Sequence, residues 1–230
     1  MLNAALDFLF PVFCISCKKR GVYLCGECAR IIPRETKILY GSNLIPAFSS
    51  SPPNSKGGLF AVIAAVRYQE NQSIQKSLHL LKYRRIRAFA KPLGEILGGR
   101  VSRFILENPK QWLIAPIPLH PRKLRERGFN QNDLIAQSAF GTWSSVDLRT
   151  GKRNPLKRIK DTRSQTDLKG KERLENVRGI FAVSNNELVR GRSIILVDDV
   201  VTTGATLLSA GDALAKAGAR EVWGAALARD

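Results

Sequence analysis

Two short segments of this 230-residue chain carry residue types that could do chemistry. The first holds all four cysteines, Cys14, Cys17, Cys25 and Cys28, in the spacing C-x2-C-x7-C-x2-C. Each pair sits on a short turn that can aim two sulfurs at one ion, and two such turns close a tetrahedral shell with no open position. Four soft thiolates suit zinc. The segment is too small to fold on a core of its own, so the expected role is structural. Disulfides and buried free thiols are the rival readings, the former disfavoured in a chain without an export signal. The second segment runs Ile194-Ile195-Leu196-Val197-Asp198-Asp199-Val200-Val201-Thr202-Thr203-Gly204-Ala205-Thr206. An apolar strand delivers two adjacent carboxylates at its carboxyl end, then a turn of small and hydroxylated residues leads into a helix. Backbone N–H groups at a helix N-terminus bind anions, and Gly204 lets the backbone approach a phosphate closely. The hydroxyls of Thr202, Thr203 and Thr206 can donate to phosphate oxygens. Two carboxylates are unsuited to holding that phosphate. They suit sugar hydroxyls or a magnesium ion, so the segment reads as a cradle for a ribose 5-phosphate.

The elements needed to position these groups are legible along the rest of the chain. Apolar runs at 59–68, 112–117, 180–183, 193–197 and 221–228 predict strands, and helical spacing predicts helices over 73–83, 88–106, 130–140 and 205–217. Alternation of the two gives an α/β fold, a mostly parallel sheet flanked by helices, with ligands expected at the carboxyl ends of its strands. Residues 41–58 contain Ser49-Ser50-Ser51-Pro52-Pro53 and Gly57-Gly58 and read as a linker or exposed loop. The expected organisation is a zinc ribbon over 1–40, that linker, and one α/β domain over 59–230.

Composition narrows the partners. Hydrophobic residues at 44% and charged residues at 24% exclude a disordered chain, a collagen-like chain and a membrane bundle. The formal net charge is +18, which predicts a partner rich in phosphate. Residues 82–128 hold twelve Lys/Arg against three acids, and residues 149–178 hold eleven against four. Two solvated faces would look the same in sequence. The apolar stretch at 6–15 is broken by Asp7 and Pro11 and lacks a basic flank and cleavage site. A lipid anchor on Cys14 is disfavoured by the bulky Phe13 before it. No membrane insertion and a cytoplasmic location are therefore expected.

The 194–206 segment resembles the PRPP-binding signature of type I phosphoribosyltransferases. Pro116-Ile117-Pro118-Leu119, Arg125-Glu126-Arg127-Gly128-Phe129-Asn130-Gln131, Leu80-Leu81-Lys82-Tyr83, and Gln165, Leu168, Arg173, Asn176-Val177, Gly179 and Phe181 resemble the ComF/GntX-like branch of that superfamily. That branch carries an N-terminal four-cysteine ribbon and is associated with bacterial competence and DNA uptake. The resemblance implies a type I phosphoribosyltransferase fold that binds PRPP with Mg2+. Asp198 and Asp199 would hold its ribose hydroxyls, and Thr202, Thr203, Gly204, Ala205 and Thr206 its 5-phosphate. The loop after 112–117 would face pyrophosphate, with His120, Arg122, Lys123, Arg125 and Arg127 as candidates and Arg125 and Arg127 favoured as catalytic. Lys157, Arg158, Lys160 and Arg163 would lie in a mobile loop closing over PRPP. A homodimer is implied by analogy.

Three functions remain open at this level. One is Mg2+-dependent phosphoribosyl transfer to an unnamed acceptor. Another is a non-catalytic protein that binds single-stranded DNA in the competence machinery and answers to PRPP or a nucleotide. The third is nucleobase salvage, against which the ribbon counts. Charge alone points to Lys18, Lys19, Arg20, Lys82, Arg84, Arg85 and Arg87 as nucleic-acid contacts. Tyr83, Phe129 and Phe181 are aromatic enough to stack on a base, but core packing is the expected use of each. His79 is expected to be structural.

Overall fold

The computed structural model describes residues 11–40, 58–161 and 179–230. Its elements are α1 (Gly26–Arg30), β1 (Ile38–Tyr40), β2 (Leu59–Arg67), α2 (Gln72–Tyr83), α3 (Ala90–Glu107), β3 (Trp112–Pro116), α4 (Pro121–Arg127), α5 (Gln131–Phe140), β4 (Val146–Leu148), β5 (Leu156–Arg158), β6 (Phe181–Val183), β7 (Ser193–Val201), α6 (Ala205–Lys216) and β8 (Glu221–Arg229). Six strands form one sheet in the order β1-β2-β8-β7-β3-β4. Only β1 runs antiparallel to its neighbour; every other pairing is parallel. β5 and β6 pair separately as an antiparallel ribbon.

The central strands are apolar throughout because helices cover both faces of the sheet. Alternate residues divide between two cores, as the period of two in a strand requires. Ile63, Ile114, Ile195, Val197 and Ala225 face the side packed by α2, α3 and α5. Val62, Leu113, Ala115, Leu196 and Ala226 face the side packed by α6. The mostly parallel sheet flanked by helices matches the expected class.

One helix pair is packed to backbone contact. A Cβ at Gly94 of α3 would lie 2.5 Å from Ser138 Cβ and 2.6 Å from the Ile135 carbonyl oxygen of α5, whereas one at Gly99 would meet nothing within 4 Å. Gly94→Ala is therefore expected to destabilise the protein by about 2 kcal/mol through overpacking. Gly99→Ala is expected to stabilise it by about 0.5–1 kcal/mol, by helix propensity and reduced freedom of the unfolded chain. Urea titrations of the two variants should move the midpoint in opposite directions.

Several elements differ from the sequence reading. β1, β4, β5 and α4 are short pieces that periodicity did not single out. β7 continues four residues past its apolar run, to Val201. Cys14, Leu24, Cys28 and Ile32 belong to the same buried cluster as Phe89 and Ile63, and the Tyr23 ring meets Phe89 at 5.0 Å between centroids. The cysteine segment thus packs directly on the α/β unit. The linker apart from Gly58, and Arg163, Gln165, Leu168, Arg173, Asn176 and Val177, lie outside the described residues.

Candidate functional site

The carboxyl end of β7 sits at the centre of the parallel sheet, between β3 and β8. There Asp198 and Asp199 meet the amino end of α5. Gly128 closes α4 in a left-handed conformation at φ 80°, and the chain turns to begin α5 with Asn130 as its cap. The Asn130 side chain accepts from Asn132 N at 3.2 Å and donates to the Ile117 carbonyl at 3.1 Å. That turn aims two carboxamides at the acid pair. Asn132 Nδ2 donates to Asp198 Oδ1 at 2.9 Å, and Gln131 Nε2 donates to Asp199 Oδ2 at 2.7 Å. Lys82, from the last turn of α2, places Nζ 2.8 Å from Asp199 Oδ2. Arg127 in turn donates to Gln131 Oε1.

Burial pushes the Asp198 carboxyl up to about 7, and the adjacent Asp199 charge adds to the shift against the pull of Lys82. For Lys82, burial disfavours the ammonium, but Asp199 and then Asp198 outweigh it and hold the group above its ordinary value. Lys82 is therefore charged and neutralises Asp199, while Asp198 titrates near neutrality.

Two adjoining hollows share Asp198, Val200 and Thr206. The smaller is the turn itself, formed by Val201, Thr202, Gly204, Ala205 and Thr206. Gly204 caps α6 with φ 71°, and Ala205 N donates to Thr203 Oγ1 at 3.5 Å. The larger is a cleft of about 200 Å3 whose walls include Lys82, Tyr83, Lys123, Arg127 and Arg158. The arrangement is a small-residue turn at a helix N-terminus, an acid pair at its edge, and four cations lining the cleft.

The structure sorts the sequence candidates. Arg127 and Lys123 line the cleft; Arg125 is exposed and outside its lining. His120 caps α4 by accepting from Arg122 N at 3.4 Å, and it lies 3.7 Å from Asp161 Oδ1. Lys157 is exposed while Arg158 faces the cleft, because successive residues of β5 point to opposite sides, and Lys160, beyond the strand, is also exposed. Lys82 departs from the expectation that grouped it with Arg84, Arg85 and Arg87: it is turned into the cleft, whereas those three remain exposed. Arg85 and Arg87 donate to the carbonyls of Glu126 and Gly128. Phe129 and Phe181 are core, as expected, but Tyr83 is 66% exposed on the cleft wall. His79 is exposed and stacks near Tyr83, with centroids 4.9 Å apart. Sequence reasoning gave Gln131 and Asn132 no role of their own; a carboxamide just inside a helix start, after an Arg-x-Arg-Gly turn, was the available signal.

In the N-terminal segment, the sulfurs of Cys14, Cys17, Cys25 and Cys28 all lie within 4.8 Å of one another. Cys17 Sγ and Cys25 Sγ are 3.7 Å apart, close to the edge of about 3.8 Å that tetrahedral zinc with Zn–S bonds of about 2.3 Å requires. Backbone N–H groups of Cys25 and Cys28 point at Cys14 Sγ and Cys25 Sγ at 3.5 Å and 3.4 Å. The donor set fits a closed structural metal site. Lys18, Lys19 and Arg20 are exposed on the turn beside it, with Lys19 Nζ 3.8 Å from Glu27. No helix among the described residues is long and apolar enough to cross a membrane.

Residues 134–230 match the phosphoribosyl transferase domain family. The chain is 31% identical over 226 residues to Competence protein F of Haemophilus influenzae, covering 95% of this chain and 86% of the relative. It is 34% identical over 212 residues to DNA utilization protein YhgH of Salmonella typhimurium, covering 87% and 88%. To Competence protein ComFC of Bacillus subtilis it is 33% identical over 141 residues, 61% of this chain and about half (52%) of that relative.

Proposed function

The chain belongs to the competence protein F family and carries a phosphoribosyl transferase domain, and from that premise we propose that it binds PRPP with Mg2+ and transfers the phosphoribosyl group. The observation that carries the reading is the shared edge between the 201–206 cradle and the Asp198/Asp199 pair, faced by Lys123, Arg127 and Arg158. The cradle takes the 5-phosphate and Asp198 accepts from a ribose hydroxyl. Lys123, Arg127 and Arg158 lie where they can stabilise pyrophosphate as it leaves C1 with the bonding electron pair. Asp198 offsets the positive charge that then develops on the sugar. Hard carboxylate oxygens beside a polyphosphate ligand fit magnesium, which when bound neutralises charge on the leaving group. The four thiols hold zinc, which supplies folding energy rather than chemistry. The protein works in the cytoplasm in DNA uptake.

Calorimetric titration of PRPP with Mg2+ tests this. The wild type should bind one equivalent. The Asp198→Asn/Asp199→Asn variant should bind at least about thirtyfold more weakly, on the order of 2 kcal/mol for lost hydrogen bonds to charged acceptors. Asp198 accepts from a hydroxyl more strongly when ionised. Its carboxyl titrates near 7, so binding should weaken as pH falls from 8 to 6 and level off above 8. No binding by a folded, metal-loaded wild type overturns the reading.

A second reading is favoured by one observation: Arg84, Arg85, Arg87 and Arg125 are all exposed, and Arg85 and Arg87 are tied to the α4 end that borders the cleft. On this reading the protein binds single-stranded DNA and PRPP regulates it. Affinity for an oligonucleotide would then fall steeply with salt, and no pyrophosphate would be released.

A further inference from the structure

The helix that carries Lys123 and Arg127 into the cleft has no root in the core. α4 is seven residues long, and none of them is buried. A helix this short does not hold itself in water. His120 caps its amino end. Its carboxyl end is clamped from outside. Arg85 donates to the Glu126 carbonyl, and Arg87 donates to the Gly128 carbonyl at 3.4 Å. Those two carbonyls belong to the residues on either side of Arg127. They are acceptors of the kind a helix end leaves open, and cations placed there also oppose the helix dipole.

The clamp is itself anchored. Phe89, two residues after Arg87, is fully buried and meets the Tyr23 ring at 5.0 Å between centroids. The Arg87 guanidinium lies 4.9 Å from the centre of the Phe129 ring, in the turn that follows α4. Arg85 adopts φ 58°, the left-handed region that glycine enters freely and other residues enter at a cost. A solvated charge has no use for that conformation; a guanidinium committed to the Glu126 carbonyl does.

We propose that Arg85 and Arg87 are positioning residues, which fix the carboxyl end of α4 and so hold Arg127 where it meets pyrophosphate. This rests on the reading of Arg127 given above. It gives the two arginines a task within the fold that nucleic-acid contact does not require.

The probe is inorganic pyrophosphate with Mg2+, titrated calorimetrically into wild type, Arg85→Gly, Arg87→Ala, Arg87→Lys and Arg127→Ala, and into Arg85→Gly and Arg87→Ala each combined with Arg127→Ala. Arg85→Gly and Arg87→Ala should each weaken binding about five- to tenfold, the size of coupling expected between residues that share partners. Arg87→Lys keeps a donor and a cation over Phe129, and should stay within about twofold of the wild type. In the absence of Arg127 the losses from Arg85→Gly and Arg87→Ala should shrink to about twofold or less. The urea midpoint of Arg85→Gly should match the wild type, because glycine accepts the left-handed backbone, so that lost affinity is not lost fold. Losses that persist undiminished without Arg127 overturn the proposal, since charges acting at long range would act whether or not Arg127 is present. Wild-type affinity in both Arg85→Gly and Arg87→Ala overturns it as well. If the wild type does not bind pyrophosphate, or Arg127→Ala binds it as tightly as the wild type, the reading of Arg127 falls and the proposal falls with it.

Discussion

Removing metal from the four-thiol site should lower the melting temperature by about 10–20 °C, corresponding to roughly 5 kcal/mol in a domain of this size. The expectation follows from where the sulfurs lie. Cys14, Cys25 and Cys28 are buried, and with Leu24 and Ile32 they belong to the cluster that contains Phe89 and Ile63. A free ribbon could unfold alone and leave its neighbour intact. Here the loss would uncover Phe89, which Tyr23 covers at 5.0 Å, and with it the face of the sheet under α3. Zinc in isolated finger peptides contributes about 10–16 kcal/mol of binding free energy. Only part of that should appear in the melt, because the packed segment retains its apolar contacts when the ion leaves. Cys28→Ser should reproduce the effect of a strong chelator, and zinc added back should restore the chelated wild type but not the variant. An unchanged melt, in protein shown by elemental analysis to be free of metal, would exclude a structural ion.

The two segments that opened the sequence analysis are the ones the structure assembles into sites, and the reason is that both are local. Four cysteines within fifteen residues need only two turns to converge. The 194–206 run contains its own strand, turn and helix start, so spacing alone places Asp198 beside Thr206. What sequence could not supply is the far wall of the cleft. Lys82 lies 117 positions before Asp199 and meets it only because the fold brings the end of α2, which follows β2, to the carboxyl end of β7, one strand removed from β2. Charge counting had assigned Lys82 to a surface with Arg84, Arg85 and Arg87, because composition does not say which side of a helix end faces a carboxylate. Arg125 and Arg127 are equivalent as text. About half a turn of α4 separates exposure from cleft, since the difference between i and i+2 on a helix is about 200° of rotation. Core packing was the expected use of Tyr83 as an aromatic, whereas it ends the helix and is left exposed.

Glu35 was invisible in sequence, and its loss should be the largest effect of any single substitution away from the two sites. Replacing it by alanine should destabilise the protein by about 3–5 kcal/mol, the usual consequence of breaking a buried ion pair by removing one partner. The carboxylate is buried where the cysteine segment crosses the edge of the sheet. Its Oε1 accepts from the backbone of Thr36 and Lys37 at 3.0 Å and 3.1 Å. Its Oε2 accepts from Arg229 at 2.6 Å and Arg67 at 3.2 Å. Glu35 N donates to the Ala65 carbonyl at 2.8 Å, and Arg100 donates to the Glu35 and Thr36 carbonyls at 2.9 Å each. One residue thereby joins β2, β8 and α3 to the strap that leads from the ribbon into β1. Alanine keeps the backbone bonds but leaves Arg229 facing nothing at the carboxyl end of β8. Arg67 is about half exposed and can turn to water, which sets the expected loss toward the lower end of the range.

The pH dependence has a definite sign. Burial works against the Glu35 charge, but the Lys37 amide and Arg229 dominate and hold the carboxyl down to about 2, below its ordinary 4.5. A depressed carboxyl stabilises the fold fully above its unfolded value and loses that contribution as pH falls through the folded one. The gap between wild type and Glu35→Ala in urea midpoint should therefore be constant from pH 8 to 6, narrow below about 4.5, and close near pH 2. Asp198 moves the other way. Its raised carboxyl makes ionisation unfavourable to the fold at the pH where the proposed ligand needs it, so the acid that serves binding weakens the structure and the acid at the strap strengthens it. A gap that stayed constant down to pH 2 would show that Glu35 acts by packing alone, and the strap would have to be held by the Arg100 contacts instead.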